Sequence, residues 1–184
     1  MAYLKWFALL IPSYAMAIIG RLFAPILPIF ASDDGWLPSW LWWFQTPFDS
    51  LDGDENHQER WPGTDALSTY KRRVAWLLRN VAYGFDMRVC GVSVDPDKDV
   101  IEIVGNPDIS DKNGISGVCR WYAYGGTGGK LIAWQWYFIW HYEIFGLKKC
   151  VRIGAGWKLW SESKLREEPA QYFSYFHPFK TAFN

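Results

Sequence analysis

A chain of 184 residues is sized for one hydrophobic core plus an appendage. Its 19 basic and 19 acidic residues cancel, so no global positive field steers it onto nucleic acid, and a dedicated nucleic-acid binder is not expected. Aromatic residues make up 19% of the chain and include 13 Trp, more than a core this small requires, so some rings are expected to face lipid, a partner or a ligand. Cys90, Cys119 and Cys150 are odd in number and widely spaced, which points to buried hydrophobes rather than to a disulfide framework or a zinc site.

From Trp6 to Ala31 the only charged side chain is Arg21. Residues 1–31 are therefore read as a membrane anchor, spanning or re-entrant, with Lys5 and Arg21 as interface anchors. A cleavable signal peptide and a buried core helix are the competing readings. Pro25 and Pro28 each remove a backbone donor, so the helix should bend or end there. Residues 32–48 follow as a juxtamembrane segment in which Trp36, Trp40, Trp42 and Trp43 supply rings suited to the headgroup region, or a Trp-rich lid on the soluble core.

Residues 49–184 read as one α+β domain. A polar acidic loop over 49–63 leads to a helix capped by Thr64 or Asp65, with Leu67, Tyr70, Val74, Leu77, Leu78 and Val81 at helical spacing on one apolar face. That helix should leave through a left-handed turn near Tyr83 and Gly84. Strands are expected over 87–94, 100–104, 118–124, 131–142 and 150–160, the third and fourth joined by the GGTGG hairpin. The fold class is thus α+β: an amino-terminal membrane-associated helix, then an amphipathic helix packed on a small antiparallel sheet. The 161–171 stretch is polar, and the aromatic tail after it either docks or touches a membrane surface.

Three constellations bear on chemistry. Asp49, Asp52 and Asp54, with Glu55 and His57 nearby, have the oxygen ligands that Ca²⁺ or Mg²⁺ prefers, and Gly53 permits a sharp turn. The EF-hand spacing is missing, and Arg60, Lys71 or Arg72 can neutralise the loop by folding back, so a solvated turn is the favoured reading. GGTGGK at 125–130 lacks the first Gly and the final Ser or Thr of a phosphate loop, and reads as a turn. On a strand over 131–142, Trp134, Trp136, Phe138, Trp140 and Tyr142 share one face, and Ala133, Gln135, Tyr137, Ile139 and His141 the other. Core and interface packing is the favoured role of these rings; a stacking platform for bases or sugars, with Arg120 and Arg152 as phosphate partners, is the alternative.

WFQTPFDSLDGD at 43–54, YKRRVAWLLRNVAYGFD at 70–86 and GWKLW at 156–160 together resemble an uncharacterised family of small membrane-associated proteins of tailed bacteriophages and prophages. Its pattern is W-F-Q-T-P-D-N-x-L-D-G-D followed by R-N-x-x-Y-G-F-D, and this chain carries Phe48 and Asp49 where the pattern has Asp and Asn. The resemblance implies a phage origin and attachment to the host inner membrane, and brings no catalytic residue with it. Sidedness is pulled both ways by Lys5 and Arg21, and the unpaired cysteines favour a cytoplasmic domain.

No complete catalytic constellation assembles from the sequence, whereas apolar and aromatic surface is abundant. The expected function is a membrane-attached, non-enzymatic interaction module whose partners are the lipid membrane, a host or phage protein, or a second copy. The alternatives are a divalent-ion-dependent hydrolase using the acidic loop 49–57 and a nucleotide or sugar pocket on the aromatic sheet.

Overall fold

The computed structural model describes residues 1–126 and 129–181. The chain is α+β and forms two compact units, one of residues 1–8 with 91–184 and one of residues 9–90. The GGTGG turn falls partly outside the described residues, at Thr127 and Gly128.

Helix α1 runs over Ala2–Phe23 and is long and apolar enough to cross a membrane. It stops where the sequence places Pro25, and a 3₁₀ turn over Leu27–Phe30 follows. In the 9–90 unit, Ala24 and Leu27 enter a core with Leu41, Leu51, Trp76 and Leu77. A second 3₁₀ segment over Ser39–Phe44 contributes Leu41 to it. Helices α2 (Glu55–Arg60), α3 (Ala66–Arg79) and α4 (Tyr83–Arg88) complete the unit.

Asp65 caps α3 as its sequence position predicts, accepting the backbone N–H groups of Leu67 and Ser68 at 3.1 Å each. The buried face of α3 is the expected one only in part, with Leu77 buried and Val74 half-buried. Arg73, Trp76 and Leu77 turn inward while Leu67 and Leu78 are exposed. The helix is rotated because the Arg73 guanidinium finds Asp52 and the carbonyl oxygens of Ser32 and Asp33, at 3.2 and 2.7 Å for the latter two.

The exit of α3 and the strand expected over 87–94 also need correction. The helix caps at Asn80, and Ala82 rather than Gly84 takes the left-handed conformation, with φ 50°. Helix α4 starts immediately after it and takes Met87 and Arg88, the first two residues of the expected strand. Gly84 lies inside that helix, where a Cβ would meet the backbone oxygens of Trp42 and Gln45. Of the expected strand only Val92 pairs, in an isolated bridge to Ala170.

The other unit is built on a five-stranded antiparallel meander, β1 (Val100–Gly105), β2 (Gly117–Tyr124), β3 (Leu131–Ile144), β4 (Leu147–Trp157) and β5 (Tyr172–Thr181), ordered as in the chain. The aromatic tail therefore docks, as an edge strand on β4. Helix α5 (Glu162–Glu167) breaks the polar 161–171 stretch and buries Leu165. Along β3, Ala133, Gln135, Tyr137 and Ile139 are buried and the alternating Trp134, Trp136, Phe138 and Trp140 are less so, the period of two expected from the sequence. One end of that second face is covered within the same unit by the first turns of α1. Tyr3 and Trp6 lie 5.0 and 5.3 Å from Trp134, and the Trp6 indole donates to the Phe173 carbonyl at 3.3 Å.

Candidate functional site

The acidic loop is organised by arginine. Asp52 accepts Arg72 Nη2 at 2.8 Å and Arg73 Nη2 at 3.0 Å, and Arg72 Nη1 also donates to the Gly63 carbonyl at 2.8 Å. Burial pushes the Asp52 carboxyl up, but the hydrogen bonds and charges of Arg73 and Arg72 outweigh that and hold it below its ordinary value. Arg72 is one of the three fold-back partners expected from sequence, beside Arg60, which donates to the Asn56 carbonyl instead, and Lys71; Arg73 is not among them, because position alone puts it off the helix's apolar face.

Asp54 instead caps α2, accepting the His57 N–H at 2.8 Å, and lies 3.7 Å from Arg79. Asp49 turns to Thr46, whose hydroxyl is 3.4 Å from its carboxylate. The three aspartates thus serve three different neighbours, and no group of three or more His, Cys, Asp or Glu side chains among the described residues is arranged to hold a metal ion. His57 is buried, its Nε2–H donating to the Arg72 carbonyl at 3.0 Å, and burial lowers its pKa.

The Trp-rich segment presents rings outward. Trp36, Trp40 and Trp43 are exposed, Trp40 packs edge-on to Phe30 at 5.7 Å, and Trp43 packs edge-on to Phe85 at 5.8 Å. Trp42 is half-buried beneath the Arg88 guanidinium at 5.6 Å. A cavity of about 180 Å³ lies here, lined by Trp36, Trp42, Gln45, Thr46, Gly84 and Arg88. Gln45 and Thr46 are occupied in shaping the loop: Gln45 Oε1 accepts the Leu37 N–H at 2.7 Å, and Thr46 Oγ1 accepts the Asp49 N–H at 3.0 Å.

The sheet separates the residues grouped as a stacking platform. Arg120 pairs across strands with Trp136 and shares its face, whereas Arg152 pairs with Ile139 and lies on the opposite, buried face. Arg152 therefore cannot join Trp134, Trp136 and Trp140 around one ligand. It belongs to a polar cluster that sequence reading missed. Its Nη1 lies 3.5 Å from the buried Asp111, which also pairs with Lys180, and its guanidinium covers the Tyr175 ring at 4.7 Å. Burial raises the Asp111 carboxyl, but Lys180 and Arg152 more than offset it and the net shift is downward. His177 stacks on Tyr175 at 5.2 Å and its pKa is lowered by burial and by the charges of Arg152 and Lys180. Asp111 sits in the long 106–116 connection, so nothing local in the sequence announces its partners.

A cleft of about 700 Å³ is walled by Asp95, Asp97 and Asp99 on one side and Arg166, Glu167 and Glu168 on the other. Its aspartates build the turn before β1. Asp95 accepts the Asp97 N–H at 3.0 Å, Asp99 accepts the Asp95 N–H at 2.9 Å, and Arg166 reaches Asp97 at 2.7 Å.

The open sheet face carries Trp140 and Phe176, both exposed, and ends in the β3–β4 hairpin. That hairpin turns on Phe145 and Gly146, both with positive φ, between the paired Ile144 and Leu147. Phe145 is 96% exposed.

The model of the Family of unknown function (DUF7338) matches residues 1–184. The chain belongs to this family. No curated protein and no solved structure matches it. Membership in DUF7338 attaches no biochemical role to the motifs described above. In this DUF7338 chain several motif residues are seen at work on the fold: Gln45 and Thr46 in the loop, Asp52 on two arginines, Gly84 against two carbonyls, and Asp86 on Ser13 at 2.7 Å.

Proposed function

We propose that the protein is a membrane-attached, non-enzymatic interaction module. The observation that carries this reading is the row of outward apolar side chains on α1, with Leu4, Phe7, Ile11, Ile18 and Leu22 all exposed. The helix has no acidic residue and only Lys5 and Arg21 as charges, a composition suited to a lipid leaflet. The open sheet face and the Phe145 hairpin supply the surface for a protein partner, either a host or phage protein or a second copy of the chain. The motif resemblance supports a phage or prophage origin and attachment to the host inner membrane, and the three buried cysteines, too widely spaced for a disulfide framework, favour a cytoplasmic side.

Membrane fractionation at neutral pH and physiological ionic strength tests attachment. The full chain is expected to stay in the membrane pellet, and quantitative recovery in the soluble fraction overturns the reading. Partner binding is tested by co-purification in mild detergent from the native host. A stoichiometric partner retained by the wild type and lost on Phe145→Asp with Trp140→Ser supports the module, and unchanged recovery counts against this surface.

A further inference from the structure

We infer that α1 lies in the plane of the membrane, seated along one leaflet by its outward stripe, and does not cross it. This rests on the membrane attachment proposed above and concerns only its geometry. Within the 9–90 unit the helix is fastened along its other face. Ser13 Oγ donates to Asp86 Oδ1 at 2.7 Å, a Cβ on Gly20 would touch Val81 at 3.0 Å and Phe44 at 3.5 Å, and the Tyr70 hydroxyl donates to the Pro25 carbonyl at 2.8 Å. Ala24 and Leu27 continue this packed side into the core.

Ser13 stands at the middle of the 22-residue helix. A spanning pose would carry Asp86 and its surroundings to the centre of the hydrocarbon, where an ionisable group is least tolerated. Releasing α1 to span alone would instead open the core at Ala24 and Leu27 and leave Asp86 without Ser13. Neither penalty arises when the axis lies parallel to the surface. The packed side then faces the protein, and the opposite side, where Ile11 is 81% and Leu22 70% exposed, faces the acyl chains. Arg21 is exposed and its four-atom stem lets the guanidinium reach headgroup level from the helix flank. The stripe does not stop with the helix. Ile26, Ile29 and Phe30 are exposed in the turn that follows, and Phe30 meets the exposed Trp40, a ring suited to the interface. A second copy of the chain is the rival occupant. The lipid assignment is preferred because the stripe is flanked by basic residues and aromatic rings and carries no acidic residue to pair with Lys5 or Arg21 of a copy.

Depth measurement decides the matter. Spin labels are placed by Leu4→Cys, Ile11→Cys, Ile18→Cys and Leu22→Cys in the full chain, exposed positions where the fold tolerates change; Cys90, Cys119 and Cys150 are buried and do not compete. The proteins are bound to vesicles of phosphatidylcholine with phosphatidylglycerol, and label depth is read from accessibility to oxygen and to a water-soluble nickel complex. The expected result is one shallow depth for all four labels, about 5–10 Å below the headgroups. A gradient of about 10 Å for each seven residues is the signature of a spanning helix and overturns the inference while leaving attachment intact. Vesicles that fail to bind the chain overturn attachment itself. Labels shielded from both reagents, in a protein whose mass in solution is twice that of the chain, assign the stripe to a second copy and also overturn the inference.

Discussion

Arg73 grips both oxygens of Asp52, its Nε reaching Oδ1 at 3.2 Å and its Nη2 reaching Oδ2 at 3.0 Å. Arg72 approaches the same carboxylate from the next position on α3. Two adjacent guanidiniums, each mostly withdrawn from water, share one anion. Removing that anion strands both of them. Asp52→Asn is expected to lower stability by about 2–3 kcal/mol, somewhat less than a fully buried pair because each side chain keeps some solvent. Urea unfolding measures this, and a loss below about 0.5 kcal/mol would mark the cluster as an ordinary surface pair.

The same geometry sets a pH dependence. The carboxyls of Asp52 and Asp111 titrate below their ordinary values in the folded chain. Their contribution is therefore complete above the unfolded carboxylate pKa of about 4 and is lost as pH falls through the lower folded values. His57 and His177 are also shifted down, so acid begins to favour the unfolded chain from about pH 6.5 downward, before the carboxylates titrate. Thermal melts from pH 8 to 3 are expected to fall in two stages, and His57→Gln with His177→Gln should flatten the first. A double variant that retains the full first stage contradicts the assignment.

Gly84 tests why a glycine stands inside α4. A Cβ there would lie 2.8 Å from the Gln45 carbonyl oxygen and closer still to that of Trp42, and backbone oxygens cannot rotate away. Gly84→Ala is expected to cost about 2 kcal/mol or more despite the better helix propensity of alanine. Equal or higher stability by calorimetry would show that the 39–44 segment yields.

Phe145 is held with φ 52° and is followed by Gly146 at φ 73°, where the local geometry favours Asn-Gly. A fully exposed phenylalanine in that conformation is a local liability. Phe145→Asn should leave the fold intact and raise stability by about 0.5–1 kcal/mol. If the tip is part of the partner surface, the same variant binds the partner less well. A drop in stability would mean that the ring is held by contacts it makes in the folded chain.

The sequence by itself determined the elements whose signals are local. Pro25 ends α1, Asp65 caps α3, and the alternation through 131–142 made a strand whose Ala133, Gln135, Tyr137 and Ile139 turn inward. The aromatic excess also announced exposed rings, since a chain this size has no core to hold them all. Tertiary structure decided which face of α3 is buried, because an arginine enters a core only where a distant carboxylate and free carbonyls await it, here Asp52, Ser32 and Asp33. It likewise set Arg152 on the face opposite Trp136 and brought Asp111 to Lys180, because cross-strand register and loop return are long-range and leave no mark on neighbouring residues. Ser13 is the clearest case. In sequence it is a small polar interruption in an apolar run, and its bond to Asp86, 73 residues away, marks the side of the helix that faces the protein.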